Sequence, residues 1–172
     1  IDDEDVDAIV IGTWPYMHAT LSCAGLENDK HVLCEARMAM NADEAHDMLD
    51  TARQFPHLIS QIVPSPFTLT WDQTIQDLIV DGYLGDIYSI EIRGAADTFV
   101  DPDAIRHWRQ DFDMSGYNTM AMGIWYEALA RWVGHASRVM AMSRVFVPQR
   151  QHQDGGKMGT VCVPDHLDIL AT

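Results

Sequence analysis

Asp7-Ala8-Ile9-Val10-Ile11-Gly12 is a short apolar run in which apolar and polar positions do not alternate. A strand that is apolar throughout keeps no face for water, which is the pattern of a parallel strand covered by helices on both faces. Similar runs follow at His31 to Cys34 and at Leu58 to Val63, and the stretches between them have helical period. After Pro15, the residues Met17, Leu21 and Ala24 fall on one helical face. Asn41 with Glu44 three residues on makes a capping-box-like start, and Ala45, Met48, Leu49 and Ala52 form the inner stripe of a second helix. Strand-helix-strand-helix-strand in this order predicts a doubly wound α/β sheet.

Pro64 and Pro66 then break the pattern and divide the chain into regions 1–64 and 65–172. Trp71, Ile75, Leu78 and Ile79 predict a helix stopped by Gly82. Tyr88, Ile90 and Ile92 alternate with Ser89, Glu91 and Arg93, the signature of a sheet with one wet face, antiparallel or mixed. Residues 117–133 read as a helix apolar nearly all round (Met120, Ala121, Ile124, Trp125, Leu129, Trp132), ended by Gly134 and followed by a strand over 138–147. A polar loop over 149–156 and short strands at 161–163 and 167–170 complete the reading. The fold class expected is α/β: a partial Rossmann-like parallel sheet, then part of an α/β domain with a mixed, mainly antiparallel open sheet.

The chain has 172 residues and a formal charge of -15, which repels a phosphate backbone and argues against a nucleic-acid partner. No apolar stretch reaches the ~18 residues of a membrane span, and no basic start precedes an apolar segment, so a cytoplasmic protein without membrane partner is expected. Cys23, Cys34 and Cys162 lack C-x-x-C spacing and read as small apolar side chains, not a disulfide framework. The eight histidines form no H-x-x-x-H or H-E-x-x-H pair, so no metal site is expected. Trp125, Tyr126, Trp132 and the ten methionines read as core in preference to a sugar-stacking site.

The strings Ile9-Val10-Ile11-Gly12-Thr13-Trp14-Pro15-Tyr16-Met17-His18 and Asp29-Lys30-His31-Val32-Leu33-Cys34-Glu35-Ala36-Arg37-Met38-Ala39 resemble the glucose-fructose oxidoreductase / inositol dehydrogenase (Gfo/Idh/MocA) family. Gly82-Tyr83-Leu84-Gly85-Asp86-Ile87, Trp108-Arg109 and Ser115-Gly116 extend the resemblance over nearly the whole chain. It implies an NAD(P)-dependent oxidoreductase acting on a small sugar or polyol. Residues 1–64 would be the C-terminal half of the Rossmann-like cofactor domain, and 65–172 part of a substrate and dimerisation domain. The candidate cofactor contacts are Thr13, Trp14, Pro15, His18, Glu35, Trp108 and Arg109, and a homo-oligomer, a dimer through the open sheet, is the expected assembly. Asp165-His166 with Asp168 corresponds to a strand connection.

Two departures stand out. The family begins with a strand, glycine-rich turn and helix for the pyrophosphate, and continues ~150 residues further. No G-x-G-x-x-G occurs among the 11 glycines. The expectation is therefore a fragment in which the edge of the first strand is open and which binds no NAD or NADP by itself. The family's lysine, aspartate and histidine also align with Ala36, Ala121 and Trp125, none of which can move a proton. Glu127 and Tyr126 are the weak substitutes, on a different helical face from Trp125. Two alternatives stay open: a non-catalytic binding or assembly module on the same scaffold, and a cofactor-assisted sugar lyase or glycosidase.

Overall fold

The computed structural model describes residues 1–65, 67–119, 122–152 and 155–172. In chain order the first elements are β1 (Ala8–Ile11), α1 (His18–Glu27), β2 (His31–Cys34), α2 (Ala42–Gln54), β3 (Ser60–Ile62) and α3 (Asp72–Val80). There follow α4 (Phe112–Ser115), α5 (Met122–Val133), β4 (Val139–Arg144), β5 (Gln149–Gln151), β6 (Met158–Thr160) and β7 (His166–Ala171). They fall into two compact units, the first built from Ile1–Pro64, Arg106–Asn118 and Val161–Val163 and the second from the remainder. The first unit thus takes in two segments that the sequence analysis placed in the region after Pro64.

In the first unit β1, β2 and β3 lie in that order, all parallel, with Ile9 beside Val32 and Ile11 beside Cys34 and Ile62. Ile11, Leu26, Val32 and Cys34 form the buried cluster, flanked by Ile9, Leu21, Ala52, Phe55, Leu58 and Ile62. Each such side chain removed from water contributes about 1.5–3 kcal/mol before entropy is counted. α1 starts from a 3-10 turn with Pro15 at its first position. α2 starts as expected, Asn41 Oδ1 accepting the Glu44 N–H, while the Glu44 carboxylate reaches back to the Met40 N–H in place of its own cap residue. Gly25 is the point of closest approach between α1 and the sheet: a Cβ there would stand 2.5 Å from Ile9 Cδ1 and 2.9 Å from Val32 Cγ2.

The sheet corrects one expectation. Val10 is 76% exposed, so β1 is not covered on both faces by described residues. Among the described residues it has a strand neighbour on one side, β2, and an all-apolar run does not by itself bring a second layer. Leu49 is likewise exposed, leaving Met48 as the buried residue of α2.

The second unit joins α3 to α5 through Arg131. Its guanidinium donates to Asp72 Oδ2 (2.6 Å), Glu127 Oε1 (2.5 Å) and the Phe67 carbonyl (3.0 Å). Thr68 Oγ1 and Trp132 Nε1 each donate to Asp72 Oδ1 at 2.7 Å. Burial works to raise the Asp72 carboxyl, but these hydrogen bonds and the Arg131 charge outweigh it and hold the group below the ordinary carboxylate value. Gly82 ends α3 at positive φ, its N–H and that of Tyr83 returning to Ile79 and Leu78. β4 pairs antiparallel with β7, and β5 with β6.

Five further expectations are corrected here. Residues 88–92 form no strand: no described strand pairs with them, and Tyr88 is 93% exposed. Alternation marks a strand only where a neighbour supplies the ladder. Of the helix expected over 117–133, the structure describes α5 from Met122 on; residues 117–119 are not helical, and Met120 and Ala121 lie outside the described residues. Within 149–156, β5 pairs with β6 and is no loop: Arg150 turns inward, its guanidinium donating to the carbonyls of Phe99, Asp101 and Ala104. Val161 and Val163 are buried in the first unit without a ladder, and Trp71 precedes α3 as an exposed residue.

Two predictions follow from the packing. Gly25→Val overpacks the α1–sheet contact and lowers unfolding stability by about 1–3 kcal/mol; a urea midpoint equal to that of the parent chain refutes the contact. The depressed Asp72 carboxyl gives stability that is full above the ordinary carboxylate range and is lost as pH falls through its lowered value. Asp72→Asn therefore flattens the acid limb of the stability–pH curve and lowers stability at neutral pH, read by urea unfolding at stepped pH. Superimposable curves for parent and variant would contradict this.

Candidate functional site

Because the strands of the first unit are parallel, their carboxyl ends share one edge, and the loops leaving β1 and β2 lie side by side. The Glu35 N–H donates to the Ile11 carbonyl at 2.9 Å, carrying the pairing one residue beyond β2. His18, only 1% exposed, joins the two loops. Its Nδ1 lies 2.7 Å from the Arg37 carbonyl and its Nε2 3.0 Å from the Thr13 carbonyl. A carbonyl only accepts, so both bonds are made when each ring nitrogen carries a hydrogen.

A third segment, residues 107–118, completes the wall. His107 caps a 3-10 turn over Trp108–Gln110, accepting the Arg109 N–H while Gln110 returns to the His107 N–H. Ser115 Oγ, fully buried, donates to the carbonyls of Arg109 and Asp111. Arg106 pairs with Asp111, whose other oxygen caps α4. Trp14 meets Trp108 with centroids 4.8 Å apart, and the Arg109 guanidinium carbon lies 4.1 Å from the Trp108 ring centroid. Arg37 donates from Nη1 to the Tyr117 carbonyl (3.0 Å) and from Nη2 to Asn118 Oδ1 (2.5 Å). Gly116 lies against the Met40 backbone so closely that a Cβ would stand 2.3 Å from the Met40 carbonyl oxygen.

These segments carry the guanidinium groups of Arg37 and Arg109 and the carboxylates of Glu35, Asp111 and Asp113. Burial and the Arg109 charge both push the Arg37 guanidinium down from its ordinary value, and the same two causes lower His107. Among the described residues no carboxylate pairs with Arg37 or Arg109. Cys34 is buried in the core and its thiol is raised, chiefly by burial, so it is a packing residue and not a nucleophile.

Of the residues expected from the sequence, Thr13, Trp14, Pro15, His18, Glu35, Trp108 and Arg109 all lie in the first unit. Thr13, Trp14, Glu35 and Arg109 are exposed, Pro15 and His18 buried, and Trp108 half-buried. Glu35 accepts the Ala36 N–H. The weak candidates belong to the second unit and are engaged there: Glu127 accepts from Arg131 and from the Ser65 N–H, and the Tyr126 hydroxyl from the Ala136 N–H. Trp125 stacks on Phe67 with centroids 5.4 Å apart. Sequence reasoning missed Asn118, His107 and the role of Arg37. The available signal was the arginine in Glu35-Ala36-Arg37, a position that the resemblance gives to proline. Among the described residues no three His, Cys, Asp or Glu side chains gather as a metal ion would need, and no helix is long and apolar enough to cross a membrane.

A parallel β-α-β-α-β unit with its polar and aromatic groups gathered at the carboxyl edge defines a Rossmann-type nucleotide-binding fold. A family model described as an oxidoreductase family with an NAD-binding Rossmann fold matches residues 1–60, in line with the resemblance to the Gfo/Idh/MocA family. It is 27% identical over 165 residues to a levoglucosan dehydrogenase of Pseudarthrobacter phenanthrenivorans, covering 94% of this chain and 42% of that protein. A Bacillus subtilis glucose-6-phosphate 3-dehydrogenase is 30% identical over 116 residues, 63% of this chain and 31% of that protein. Among solved structures, an oxidoreductase domain protein from Kribbella flavida superposes with a TM-score of 0.84 at 26% identity, covering 99% of this chain and 46% of the other. A levoglucosan dehydrogenase in complex with NADH and L-sorbose gives 0.84 at 25% identity, with the same coverage. The chain thus spans less than half the length of these relatives.

Gly116→Ala tests how the wall is held. It sets a methyl group against a backbone oxygen at positive φ, so we expect a loss of about 1–3 kcal/mol or more in stability. Faster hydrogen exchange at 107–118 and 37–41 is expected with it. Unchanged protection of both segments would show that this contact does not hold them.

Proposed function

We propose that this chain carries the substrate-facing part of an NAD(P)-dependent oxidoreductase acting on a small sugar or polyol. The observation that supports it most is the meeting of the 13–18 loop, the 35–37 loop and Trp108-Arg109 at the carboxyl edge of one parallel sheet. A nicotinamide supplies hydride transfer when bound, and the residues here fit that end of a dinucleotide. Trp14 and Trp108 offer flat apolar rings, and Thr13 and Glu35 offer exposed polar groups. His18 acts through position, holding the two loops with both ring nitrogens. The phosphates are a different matter: the 172 residues contain no G-x-G-x-x-G, the pattern whose backbone N–H groups hold a dinucleotide phosphate. Residues 1–64 belong on this reading to the cofactor domain, and 65–172 to the substrate and dimerisation part, with 107–118 as the segment that returns to the cofactor side. The β4–β7 ribbon, which exposes Val139, Met140, Met142 and Leu170, is the proposed surface for a homodimer. Three free thiols suit a cytoplasmic setting, and the acidic charge disfavours nucleic acid.

A second reading, a binding module without turnover, is favoured by Ala36 and Trp125 at proton-handling positions and by the engagement of Glu127 with Arg131. Amide NMR of the chain titrated with NADH and NADPH addresses both. We expect shifts confined to 13–18, 35–37 and 107–109 at millimolar ligand, and no retention on dialysis at micromolar concentrations. Silence of those amides sinks the proposed site; micromolar retention sinks the claim that the phosphates find no holder. Hydride transfer to a sugar or polyol at any rate would exclude the module reading.

A further inference from the structure

We propose that the space enclosed by α1, α2 and the parallel sheet is a binding site for a small apolar ring that carries one hydroxyl group, a ligand of the size and polarity of phenol. This site is independent of the oxidoreductase reading: it lies under the helices and not at the carboxyl edge of the sheet.

A cavity of about 160 Å³ lies within the first unit, lined by Leu26 of α1, Val32 of β2, Met48 and Ala52 of α2, and Met38 from the loop after β2. Close-packed interiors leave few voids wider than a water molecule, and an apolar space of this size admits a benzene-sized ring. The walls can adapt to what enters: Met38 and Met48 are unbranched thioethers that repack around different shapes. Exposed Ser60 and Gln61 of β3 border the mouth, which gives a ligand an entry from solvent.

One polar group stands inside. Ser22, one helical turn before Leu26, lines the same cavity and is 3% exposed, and its Oγ has no hydrogen-bond partner among the described residues. A buried hydroxyl left unpaired loses its hydration without return. Its neighbour on the wall is Cys34, whose thiol burial raises and Ser22 lowers in part. Sulfur accepts weakly, and the thiol hydrogen is directed to the Glu35 carbonyl at 3.6 Å. Water fits this setting poorly. A buried water ordinarily makes about three hydrogen bonds, whereas away from the mouth the lining side chains offer only carbon and sulfur besides this hydroxyl. A ring with a single hydroxyl meets both requirements, its carbons filling the apolar space and its oxygen pairing with Ser22 Oγ. Met38 follows Arg37 directly, so the occupant lies against the loop that His18 also holds.

The test is NMR titration of the chain, labelled with carbon-13 at its methionine methyls, with phenol and with toluene, the ring of similar size that lacks the hydroxyl. Both titrations are repeated on Ser22→Ala, which removes the oxygen and keeps a good helix former, and on Ala52→Leu, which fills the cavity. Saturable shifts of the Met38 and Met48 methyls are expected with phenol. Ser22→Ala weakens phenol about fivefold or more and leaves toluene no weaker, and Ala52→Leu removes both. Phenol that moves neither methyl in the parent chain overturns the site, a result that needs no variant to fold. Equal loss of phenol and toluene in Ser22→Ala, or loss of neither, overturns the pairing with the hydroxyl. Undiminished binding by folded Ala52→Leu overturns the location.

Discussion

Three strands that run the same way must each return by a crossover, and in residues 8–62 that requirement brings every strand-end loop to one edge of the sheet. The candidate site is built from there. His18 ties the loop after β1 to the loop after β2, and the Glu35 N–H extends their pairing past the last ladder residue. The helices have the complementary task of removing one face from water. α1 comes close enough only because Gly25 has no side chain to set against Ile9 and Val32. A helix interior glycine costs about 1 kcal/mol relative to alanine, so the close contact must return more than that.

The 107–118 segment is joined to the same edge by short-range devices. Gly116 brings its backbone against Met40, Arg37 donates to the two residues that follow, and the paired tryptophans fix the far end. Together they tie a stretch with one four-residue helix and one 3-10 turn to the loop after β2 and to Trp14.

How much of this can be read from sequence depends on whether a feature is local. The three parallel strands, both intervening helices and the Asn41 cap were legible, since periodicity and capping chemistry are written within one element. So were the helix stop at Gly82 and the strand at 167–170. The strand expected at 88–92 was not, because alternation records the character of a face but not the presence of a neighbour. The β5–β6 pair escaped for the opposite reason: a polar run becomes a strand when Arg150 satisfies three carbonyls tens of residues away. The family pattern singles out Thr13, Trp14, His18, Trp108 and Arg109, and the structure puts all five in the first unit. Nothing local singles out Asn118, whose hydrogen bond to Arg37 spans 81 positions.

Arg37 shows how a charged side chain can be spent on holding two segments together. Charge-assisted hydrogen bonds contribute about 1.5–3 kcal/mol each, and Arg37 makes two of them to the 107–118 segment. Against that stand the partial burial of a guanidinium and the repulsion from Arg109. A neutral donor such as glutamine would hold Asn118 without either penalty, and an apolar residue would avoid both. What the guanidinium adds is reach: one side chain supplies separate donors to the Tyr117 carbonyl and to the oxygen of the buried Asn118. Arg109 in turn lies on the Trp108 ring, whose face stabilises a cation.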